Sequence, residues 1–327
     1  MPWSPKASDT TLDHLRHWGD FRICSAPVPL LSQPSHKNAL DKHVNRIIRK
    51  TRLSENVFRM EVEATLIARN RKAGQFVIVM VDEQFGERIP LTIADANPDS
   101  GSITLIFQTV GASTMKLARH EAGDVLPAVL GPLGKPTHVN GPGRHIVCIG
   151  GGIGVAPMHP IAQAHKEAGN DVTIIMGART KELFVMEQEM RAIAGDKLIL
   201  MTDDGSRGRK GLVTEPLKEL CESGAVDEVI AIGPPVMMKF CAKTTEPFGV
   251  TTTVSLNTVM IDGTGMCGGC RISVGGETKF VCVDGPEFDG HKVDWDQMLK
   301  RMNTFKPQEV WAKEHVCNML KTAENKK

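Results

Sequence analysis

The sequence predicts a β plus α/β protein, in which an antiparallel barrel is followed by a doubly wound parallel sheet and a small cysteine-bearing segment. Short runs rich in β-branched residues recur between about residues 42 and 136, as in a small barrel. Strand and helix patterns alternate from about residue 143, as in a parallel sheet with crossover helices. A glycine-rich turn near the end, "MIDGTGMCGGC", carries paired cysteines. The predicted divisions of the 327 residues are 1–40, 41–140, 141–250, 251–292 and 293–327.

The composition predicts a cytoplasmic protein with no nucleic-acid partner and no membrane span. A net charge of +1 favours neither nucleic acid nor an anionic membrane surface. The N-terminal "MPWSPKASDTT" lacks the basic and apolar regions of a secretory signal. Residues 146–164 carry no charged side chain except histidine, but their Gly and Pro content favours strand, turn and helix over a membrane span. Eight cysteines in such a chain favour thiols and metal ligands over a disulfide framework.

The N-terminal extension, residues 1–40, is rich in Pro and Ser and has no sustained periodicity. Within it, the spacing of Leu12, Leu15 and Trp18 predicts one short amphipathic helix. Two interpretations remain open, namely a flexible tail and an arm that docks on a partner.

Each predicted element of the barrel and of the parallel sheet rests on its own run of residues. The predicted barrel strands are VFRMEVEA (57–64), QFVIVMVD (75–82) and SITLIFQTV (102–110). The predicted strands of the parallel sheet are HIVCIGG (145–151), DVTIIMGAR (171–179), KLILMTDD (197–204) and EVIAIGPP (228–235). The predicted helices between and beside them are PMHPIAQAHKEAG (157–169), KELFVMEQEMRAIAG (181–195) and LVTEPLKELCESG (212–224). This alternation is typical of a doubly wound nucleotide-binding domain.

The loop "GGGIGVAP", residues 150–157, follows the first strand of the parallel sheet. Glycines at such a turn let backbone N–H groups face a pyrophosphate at a helix N-terminus. The loop does not fit G-x-G-x-x-G, because the third position is Val155 or Pro157. Glycines also serve tight turns that bind nothing, but the position between strand and helix favours phosphate binding.

The cysteine spacing near the end is Asp262-x4-Cys267-x2-Cys270-x11-Cys282. Plant-type [2Fe–2S] sites have C-x4-C-x2-C followed by a distant cysteine, so this chain has that frame with a carboxylate in the first position. The alternatives are a structural zinc site, although zinc commonly uses two close-spaced pairs, and thiols that bind no metal. Asp262 before Gly is also a common turn residue. Cysteines without metal spacing are Cys24, Cys148, Cys221, Cys241 and Cys317.

The motif "RIPLT" at 88–92, together with "GGGIGVAP" and "VGASTMKL", resembles the ferredoxin–NADP reductase superfamily. The resemblance implies that region 41–140 is an FAD-binding barrel. No tyrosine is present in the chain, and Leu91 takes the place where many relatives have one. The flavin-binding residues implied are Arg88, Pro90, Leu91, Thr92, Gly111, Ser113 and Thr114.

The same resemblance implies that region 141–250 binds NAD(P). Relatives often have Cys-Gly-Pro where this chain has Ile232-Gly233-Pro234. Arg179 and Arg207 favour a 2′-phosphate and NADP, whereas the aspartates near them favour a ribose and NAD, so the choice remains open. The nucleotide-binding residues implied are Gly151, Gly152, Gly154, Ala156, Pro157, Gly177, Arg179, Asp203, Asp204, Gly233, Pro234 and Met237.

Within the superfamily, the order of barrel, nucleotide domain and cluster resembles the small subunits of NADH-dependent reduced-ferredoxin:NADP oxidoreductases, also described as sulfide dehydrogenase small subunits. It is more distantly similar to the electron-transfer subunits of dihydroorotate dehydrogenase, which look like four-cysteine proteins at the cluster site. The resemblance implies metal ligands at Asp262, Cys267, Cys270 and Cys282 in the [2Fe–2S] segment 251–292.

The function implied is that of an NAD(P)H-dependent FAD/iron–sulfur oxidoreductase subunit, leaning towards NADH, in an electron-bifurcating hetero-oligomer. Its expected partners are a larger flavin/iron–sulfur subunit and ferredoxin. No catalytic side chain is predicted, because the cofactors carry the chemistry. Alternatives are an electron-transfer subunit of a dihydroorotate or other flavoprotein dehydrogenase, and a non-enzymatic redox-sensing module.

The helical tail, residues 293–327, allows two interpretations. It either docks on the partner or folds back on its own domain. The residues expected to form a docking surface are Trp295, Met298, Phe305 and Trp311.

Overall fold

The computed structural model describes residues 45–83 and 88–324. The predicted N-terminal extension and its helix, Cys24 and the side chain of Cys317 lie outside the described residues. The first sheet has six antiparallel strands in the order β1-β2-β5-β4-β3-β6. Its elements are β1 (Ile47–Ser54), β2 (Val57–Glu63), α1 (Thr65–Asn70), β3 (Phe76–Met80), β4 (Arg88–Asn97), β5 (Ser102–Gln108), α2 (Ala112–Leu117) and β6 (Ala128–Leu133).

This sheet closes into the predicted barrel because its two edges meet. The backbone N–H of Ile47, at the start of β1, donates to the carbonyl of Asp124, 2.8 Å away. The N–H of Leu126, just before β6, donates to the carbonyl of Asn45 at 3.0 Å. Closure leaves fewer unpaired edge groups and encloses an apolar interior that includes Leu105.

The second sheet has seven strands in the order β10-β9-β8-β7-β11-β12-β15, all parallel to their neighbours except β15. The β7 (His145–Gly151) strand and α3 (Val155–Glu167) match the uncharged window, as predicted. The other elements are β8 (Asp171–Ala178), α4 (Glu187–Ala194), β9 (Leu198–Thr202), β10 (Arg209–Lys210), α5 (Thr214–Glu222), β11 (Glu228–Ile232), α6 (Pro235–Thr245), β12 (Thr251–Ser255) and β15 (Glu287–Asp289).

Both faces of the parallel sheet are covered, which explains its continuous apolar strands. Along β7, Val147 and Ile149 pack with residues of α5 and α6, whereas Ile146 and Cys148 pack with α3 and α4. Cys148 is fully buried, so its prediction as a core residue is confirmed. Burial raises the pKa of its thiol, which keeps the thiol neutral.

The helix predicted over residues 181–195 is wrong in its first half. A short 3-10 turn covers Lys181–Leu183, and α4 begins only at Glu187. Val185 is buried between them, and Met186 has a left-handed backbone with φ of 60°. Burying these two apolar side chains against α3 and α4 breaks the helical path that the local sequence favours.

The last part of the chain packs beside the parallel sheet. A hairpin of β13 (Arg271–Val274) and β14 (Glu277–Phe280) leads into the short α7 (Val281–Asp284) and then β15. The last described elements are α8 (Trp295–Met302) and α9 (Lys306–Glu324). None of the helices in the described ranges is long and apolar enough to cross a membrane.

The predicted docking surface of the tail is only partly exposed. Trp295 and Met298 are buried against the parallel sheet, so for these two residues the docking prediction is wrong. Phe305 and Trp311 are 48% and 68% exposed. The indole N–H of Trp295 donates to the carbonyl of Gly290 at 3.0 Å, which fixes the start of α8 to the residue that follows β15.

Candidate functional site

The glycine loop lies where the strand order of the parallel sheet reverses. β7 has β8 on one side and β11 on the other, so the carboxyl ends of β7 and β11 border a crevice. Ligands of doubly wound sheets bind in this position. Gly151 ends β7, and a 3-10 turn over Gly152–Gly154 leads directly into α3. Ala156 and Pro157 form the first turn of that helix.

Close backbone approach explains the glycines of this loop. A Cβ added to Gly154 would lie 2.3 Å from the carbonyl oxygen of Ile232 and 2.7 Å from Cα of Gly233. At Gly151 it would lie 2.4 Å from Sδ of Met237. The structure thus brings the two predicted nucleotide segments together, and Cδ of Pro234 would lie 2.9 Å from the same Cβ. At Gly152 no atom lies within 4 Å of such a Cβ, so its backbone is open to a phosphate.

The second pair of predicted nucleotide segments meets at the ends of β8 and β9. The N–H of Asp203 donates to the carbonyl of Ala178 at 3.1 Å, and the N–H of Asp204 donates to that of Arg179 at 3.3 Å. Ser206 donates to the Asp204 carboxylate from its backbone N–H and its hydroxyl, and the hydroxyl bond is the larger cause of a lowered pKa of Asp204. Gly177 is the second-last residue of β8, beside these residues.

The predicted flavin motif lies on β4, with Pro90 opposite Ile78 and Thr92 opposite Phe76 of β3. The α2 helix packs against β4 and brings the second predicted flavin segment to the same side of the barrel. Gly111 precedes α2, and no atom lies within 4 Å of a Cβ added there.

The hydroxyl of Thr114 holds the turn before α2. It donates to the carbonyl of Gly111 at 3.0 Å and accepts from its N–H at 3.1 Å. Ser113 lies in the first turn of α2 beside it. An open backbone at a helix start, facing the RIPLT strand, fits the phosphate end of a flavin nucleotide.

The predicted metal ligands gather in a loop whose backbone only glycine adopts easily. Gly263, Gly265 and Gly268 have φ of 81°, 90° and 64°. The Sγ atoms of Cys270 and Cys282 are 3.2 Å apart, which is beyond the ~2.05 Å of a disulfide. Both side chains are buried.

A backbone hydrogen bond lowers the pKa of one of these thiols, whereas burial raises the pKa of another. Cys267 is exposed and accepts the N–H of Gly269 at 3.4 Å, and this bond is the main cause of a lowered pKa of Cys267. Burial, and after it the neighbouring Cys270 thiol, raises the pKa of Cys282 to about 12. A metal must therefore displace a proton from Cys282 on binding.

Asp262 has a clear role in the turn. Its Oδ2 accepts the N–H of Thr264 at 2.9 Å, the Thr264 hydroxyl, and the N–H of Met266 at 3.2 Å. The Thr264 hydroxyl bond is the main cause of a lowered pKa of Asp262, to which the charge of Arg88 also contributes. In the described ranges, no three Cys, His, Asp or Glu side chains stand at metal-binding distances. Three thiols in a glycine cradle nevertheless have the donor chemistry of an iron–sulfur site.

The loop of residues 260–270, here called the cluster loop, lies directly on the barrel. A Cβ at Gly263 would lie 2.6 Å from Cγ1 of Ile78 and 3.3 Å from Cδ1 of Leu133. Ile78 is paired with Pro90 of the flavin motif, so the loop and the motif share a contact. One hydrophobic core, here called the shared core, includes Ile78, Ile149, Cys270, Cys282 and Met298.

Two charged side chains beside the predicted site residues have no signal in the sequence. Arg301 of α8 donates to the carbonyl of Gly269, 3.0 Å away, between two predicted ligands. Glu187 binds two arginines beside the nucleotide segments. Single charged residues in amphipathic helices resemble ordinary solvated positions, so only the fold shows what they contact.

The fold and the site define a reductase with a flavin barrel, a nucleotide-binding domain and an iron–sulfur segment. Residues 148–243 match the oxidoreductase NAD-binding domain, and residues 257–294 match the iron–sulfur cluster binding domain of dihydroorotate dehydrogenase B. The chain belongs to the family of dihydroorotate dehydrogenase B electron-transfer subunits and their homologues.

The relatives cover most of the described chain. A Thermotoga maritima protein, named as a homologue of the dihydroorotate dehydrogenase B (NAD(+)) electron transfer subunit, is 44% identical over 86% of this chain and 97% of its own length. An uncharacterized Clostridium beijerinckii protein is 44% identical over 81% of this chain and 91% of its own length.

Solved structures add a second line of similarity. A chain in the NADH-dependent reduced ferredoxin-NADP oxidoreductase structure, reported as giving insights into flavin-based electron bifurcation, is 42% identical. That match has a TM-score of 0.78 and covers 84% of this chain and 98% of that one. The cytochrome b5 reductase domain of Ulva prolifera nitrate reductase, 21% identical with a TM-score of 0.53 over 64% of this chain and 94% of that one, shows the shared fold.

These findings confirm the predicted fold class and the superfamily resemblance. The protein is an oxidoreductase-type electron-transfer subunit, and its cofactors are FAD, a [2Fe–2S] cluster and NAD(P)H. The predicted domain boundaries and the individual site residues stay predictions.

Proposed function

We propose that this protein moves electrons between NADH, FAD and a [2Fe–2S] cluster towards a larger partner subunit, in an electron-bifurcating complex that also uses NADPH and ferredoxin. The observation that carries the proposal is the contact between the cluster loop and the flavin-motif strand through Ile78. A second support is the high similarity to a chain of a bifurcating oxidoreductase.

When bound, FAD accepts two electrons as hydride from a nicotinamide, and the cluster carries them singly. The chain supplies the positions for this chemistry. The open backbones at Gly152 and Gly111 would face phosphates, and the close approach of Gly151 to Gly233 would shape the nicotinamide end of the crevice.

The proposed cluster ligands are Cys267, Cys270 and Cys282 with Asp262. A carboxylate in this set keeps the charge of a thiolate but changes the donor atom. Asp262 is near enough to Cys267 for its charge to act on that thiol's pKa, which supports its inclusion. Because the Thr264 and Met266 bonds all fall on Oδ2, the other oxygen would be the donor.

The exit surface for electrons is the apolar patch of the exposed Ile261, Met266 and Val283. Ile261 and Cys267 both lie within 4 Å of a Cβ added at Gly269, and Val283 lies 3.1 Å from one added at Gly265. Met266 is 87% exposed, and Cys267 itself is exposed. Exposed apolar residues beside a cofactor edge are typical of an interaction surface. The proposed occupant is the larger flavin/iron–sulfur subunit.

The test is the visible and electron paramagnetic resonance spectrum of anaerobically purified protein, before and after NADH or NADPH. We expect loss of flavin absorbance together with the signal of a reduced [2Fe–2S] cluster. Flavin loss without a cluster signal calls for dithionite, which should then produce that signal. A colourless, zinc-containing protein would overturn the proposal.

A second candidate is electron transfer to a dihydroorotate dehydrogenase, favoured by the name of the Thermotoga maritima relative. The partner that copurifies decides between the two, by oxidising dihydroorotate or by reducing ferredoxin. The Asp262→Cys variant gives a second criterion. Unchanged coupling to the native partner in this variant favours the dihydroorotate alternative.

A further inference from the structure

An unassigned group of charges stands beside the nucleotide segments. Arg207 donates from Nε to Oε2 of Glu187 at 2.8 Å and from Nη2 to Oε1 at 2.7 Å. Arg191 donates to the same Oε1 from 3.1 Å. The bidentate bond engages two of the guanidinium's donor positions, and the carboxylate offsets its charge.

The group lies at the carboxyl ends of β8 and β9. Arg207 belongs to the loop after β9, and that loop is tied to the residues after β8 by the N–H of Asp204 on the Arg179 carbonyl. A second tie runs from the N–H of Lys181 to the hydroxyl of Ser206 at 2.8 Å. Glu187 opens α4, the helix between these two strands.

This end of the sheet is where the adenosine half of a dinucleotide would lie. In doubly wound domains a carboxylate near here binds the ribose 2′-hydroxyl of NAD, whereas an arginine accommodates the 2′-phosphate of NADP. The identity of the group that faces the ribose therefore decides the choice between the two cofactors.

The backbone of Arg207 is fixed as well as its side chain. Its carbonyl accepts the hydroxyl of the fully buried Thr202 at 2.8 Å, and its N–H donates to that hydroxyl at 3.2 Å. The hydrogen bond from Arg207 is the main cause of a lowered pKa of Glu187, so Glu187 is ionised at any assay pH near neutrality. A 2′-phosphate that approaches Arg207 thus meets a permanent negative charge.

We propose that Glu187 determines cofactor specificity, by holding Arg207 away from the 2′-phosphate of NADP(H) and thereby favouring NAD(H). Glu187 acts through Arg207 and is a positioning residue. The inference rests on the proposed function, because it requires the nucleotide to bind at this end of the sheet.

The neighbouring pair of Arg209 and Glu219 is a matched control. Arg209 donates from Nη1 and Nη2 to the two oxygens of Glu219 at 2.8 and 2.6 Å. Both pairs are bidentate, but Arg209 uses Nη1 and Nη2 where Arg207 uses Nε and Nη2, and Glu219 lies on α5 instead of α4. Releasing Arg209 should therefore leave the ratio of NADPH to NADH use unchanged.

The experiment measures kcat/KM for NADH and NADPH with ferricyanide as acceptor, using the flavin-loaded protein. Glu187→Gln should raise kcat/KM for NADPH about tenfold, the effect of one charge-assisted contact, and leave the NADH value within about twofold. Combining it with Arg207→Leu should remove the gain. Glu219→Gln should leave the ratio unchanged.

A binding measurement separates specificity from a general structural effect. The Kd for 2′,5′-ADP, which carries the 2′-phosphate without the nicotinamide, should fall about tenfold in Glu187→Gln and return in the double variant. Glu187→Ala serves as a second variant if Glu187→Gln has a lowered unfolding temperature. In a folded variant, an unchanged ratio, or a gain that survives Arg207→Leu, would overturn the inference.

A failure of the proposed function can be distinguished from a failure of the role inferred for Glu187. If neither nucleotide reduces the flavin of the wild-type protein, the proposed function fails. If both reduce it but Glu187→Gln leaves their ratio unchanged, only the role of Glu187 fails. A gain that instead depends on Arg179, tested with Glu187→Gln/Arg179→Ala, would assign the 2′-phosphate to the other cation at this end and also overturn the inference.

Discussion

Glu287 connects three parts of the chain through one carboxyl group. Thr137, in the segment between the barrel and the parallel sheet, donates its hydroxyl to Oε1 at 2.6 Å. A Cβ at Gly74 of the barrel would lie 2.8 Å from that oxygen. Burial, opposed by the Thr137 bond and helped by the charge of Glu228, raises the pKa of Glu287 to about 7.

This pKa predicts how Glu287→Gln changes stability with pH. The folded protein keeps the proton up to about pH 7, whereas the unfolded chain loses it near 4.5. The contribution of Glu287 to the free energy of unfolding of the wild type therefore falls as pH rises from about 4.5 to about 7, and it stays low above that. Glutamine keeps the acceptor for Thr137 and carries no charge.

We expect Glu287→Gln to raise the thermal unfolding midpoint at pH 8 by several degrees, on the order of 2 kcal/mol, and to change it little at pH 5. The free energy gained is expected to be smaller than the whole pKa difference implies, because the Glu287 side chain keeps some contact with solvent. Calorimetry of wild type and variant at both pH values checks this. Equal differences at pH 5 and pH 8 would contradict the assigned pKa.

At the residue scale, sequence spacing predicts which residues would bind the cluster, but it does not predict their contacts. The C-x2-C pair and the distant Cys282 could be read from spacing, and the fold brings Cys270 and Cys282 together. The sequence allows a turn role for Asp262, because an aspartate before glycine is a common turn residue. It does not show which N–H groups the Asp262 carboxylate accepts from. Glu187 and Glu287 had no signal, because a lone carboxylate is normally a solvated residue.

Among the elements, the loop between β7 and α3 depends on the absence of a side chain at Gly154. Gly154→Ala places a methyl group 2.3 Å from a backbone oxygen, which cannot move away as a flexible side chain can. We expect kcat/KM for NADH to fall at least tenfold, because the two loops that form the crevice must separate. Steady-state reduction of ferricyanide measures this.

Gly141→Ala is the control for this prediction. Gly141 lies in the segment before β7, and no atom lies within 4 Å of a Cβ added there. Its variant should keep wild-type activity. Wild-type activity in Gly154→Ala as well would show that the loops tolerate separation.

The α8 helix holds the cluster loop through Arg301. Removing its bond to the Gly269 carbonyl should loosen the turn between Cys267 and Cys270. We expect Arg301→Met to shorten the half-life of the cluster's visible absorbance in the presence of a chelator several-fold. Lys300→Met, at an exposed position of the same helix, should not change it. Equal half-lives in the two variants would argue against a role for α8.

Element prediction failed where tertiary contacts override local preference. The RIPLT segment was recognised as a motif but not as a strand, since Pro90 weakens the strand pattern. The β4 strand forms nonetheless, between β3 and β5. The early part of the predicted helix at 181–195 failed for the same reason, because Val185 and Met186 are buried.

At the scale of the whole molecule, the shared core joins regions that the sequence pattern separates. Ile78 of the barrel, Ile149 of the parallel sheet and Cys282 of the cluster segment belong to one hydrophobic cluster. Periodicity reports which residues are buried but not which distant residues they meet. The order of regions could therefore be predicted, whereas their common interior could not.

The apolar patch around Cys267 predicts a partner effect that leaves internal electron transfer intact. Met266→Asp should weaken association with the native partner at least tenfold, because it buries a charge at the proposed contact. Flavin reduction by NADH should stay within about twofold, since Met266 lies at the surface. Copurification and titration with the partner measure the first effect, and stopped-flow absorbance the second.

Leu66→Asp is the matched control for this variant. Leu66 is 77% exposed on α1 of the barrel, and α1 packs against β4, β5 and β6. It should bind the partner as the wild type does. Equal weakening by both variants would indicate a general loss of solubility instead of a specific contact.

The unequal exposure of the three thiols also bears on biogenesis. A scaffold protein that delivers iron and sulfide would reach Cys267 first, since Cys270 and Cys282 are buried in the shared core. Reaching Cys270 and Cys282 in the folded protein would require the shared core to open. Loading is therefore easiest on the newly made chain, so that iron supply during synthesis, more than repair afterwards, would set the fraction of protein that matures.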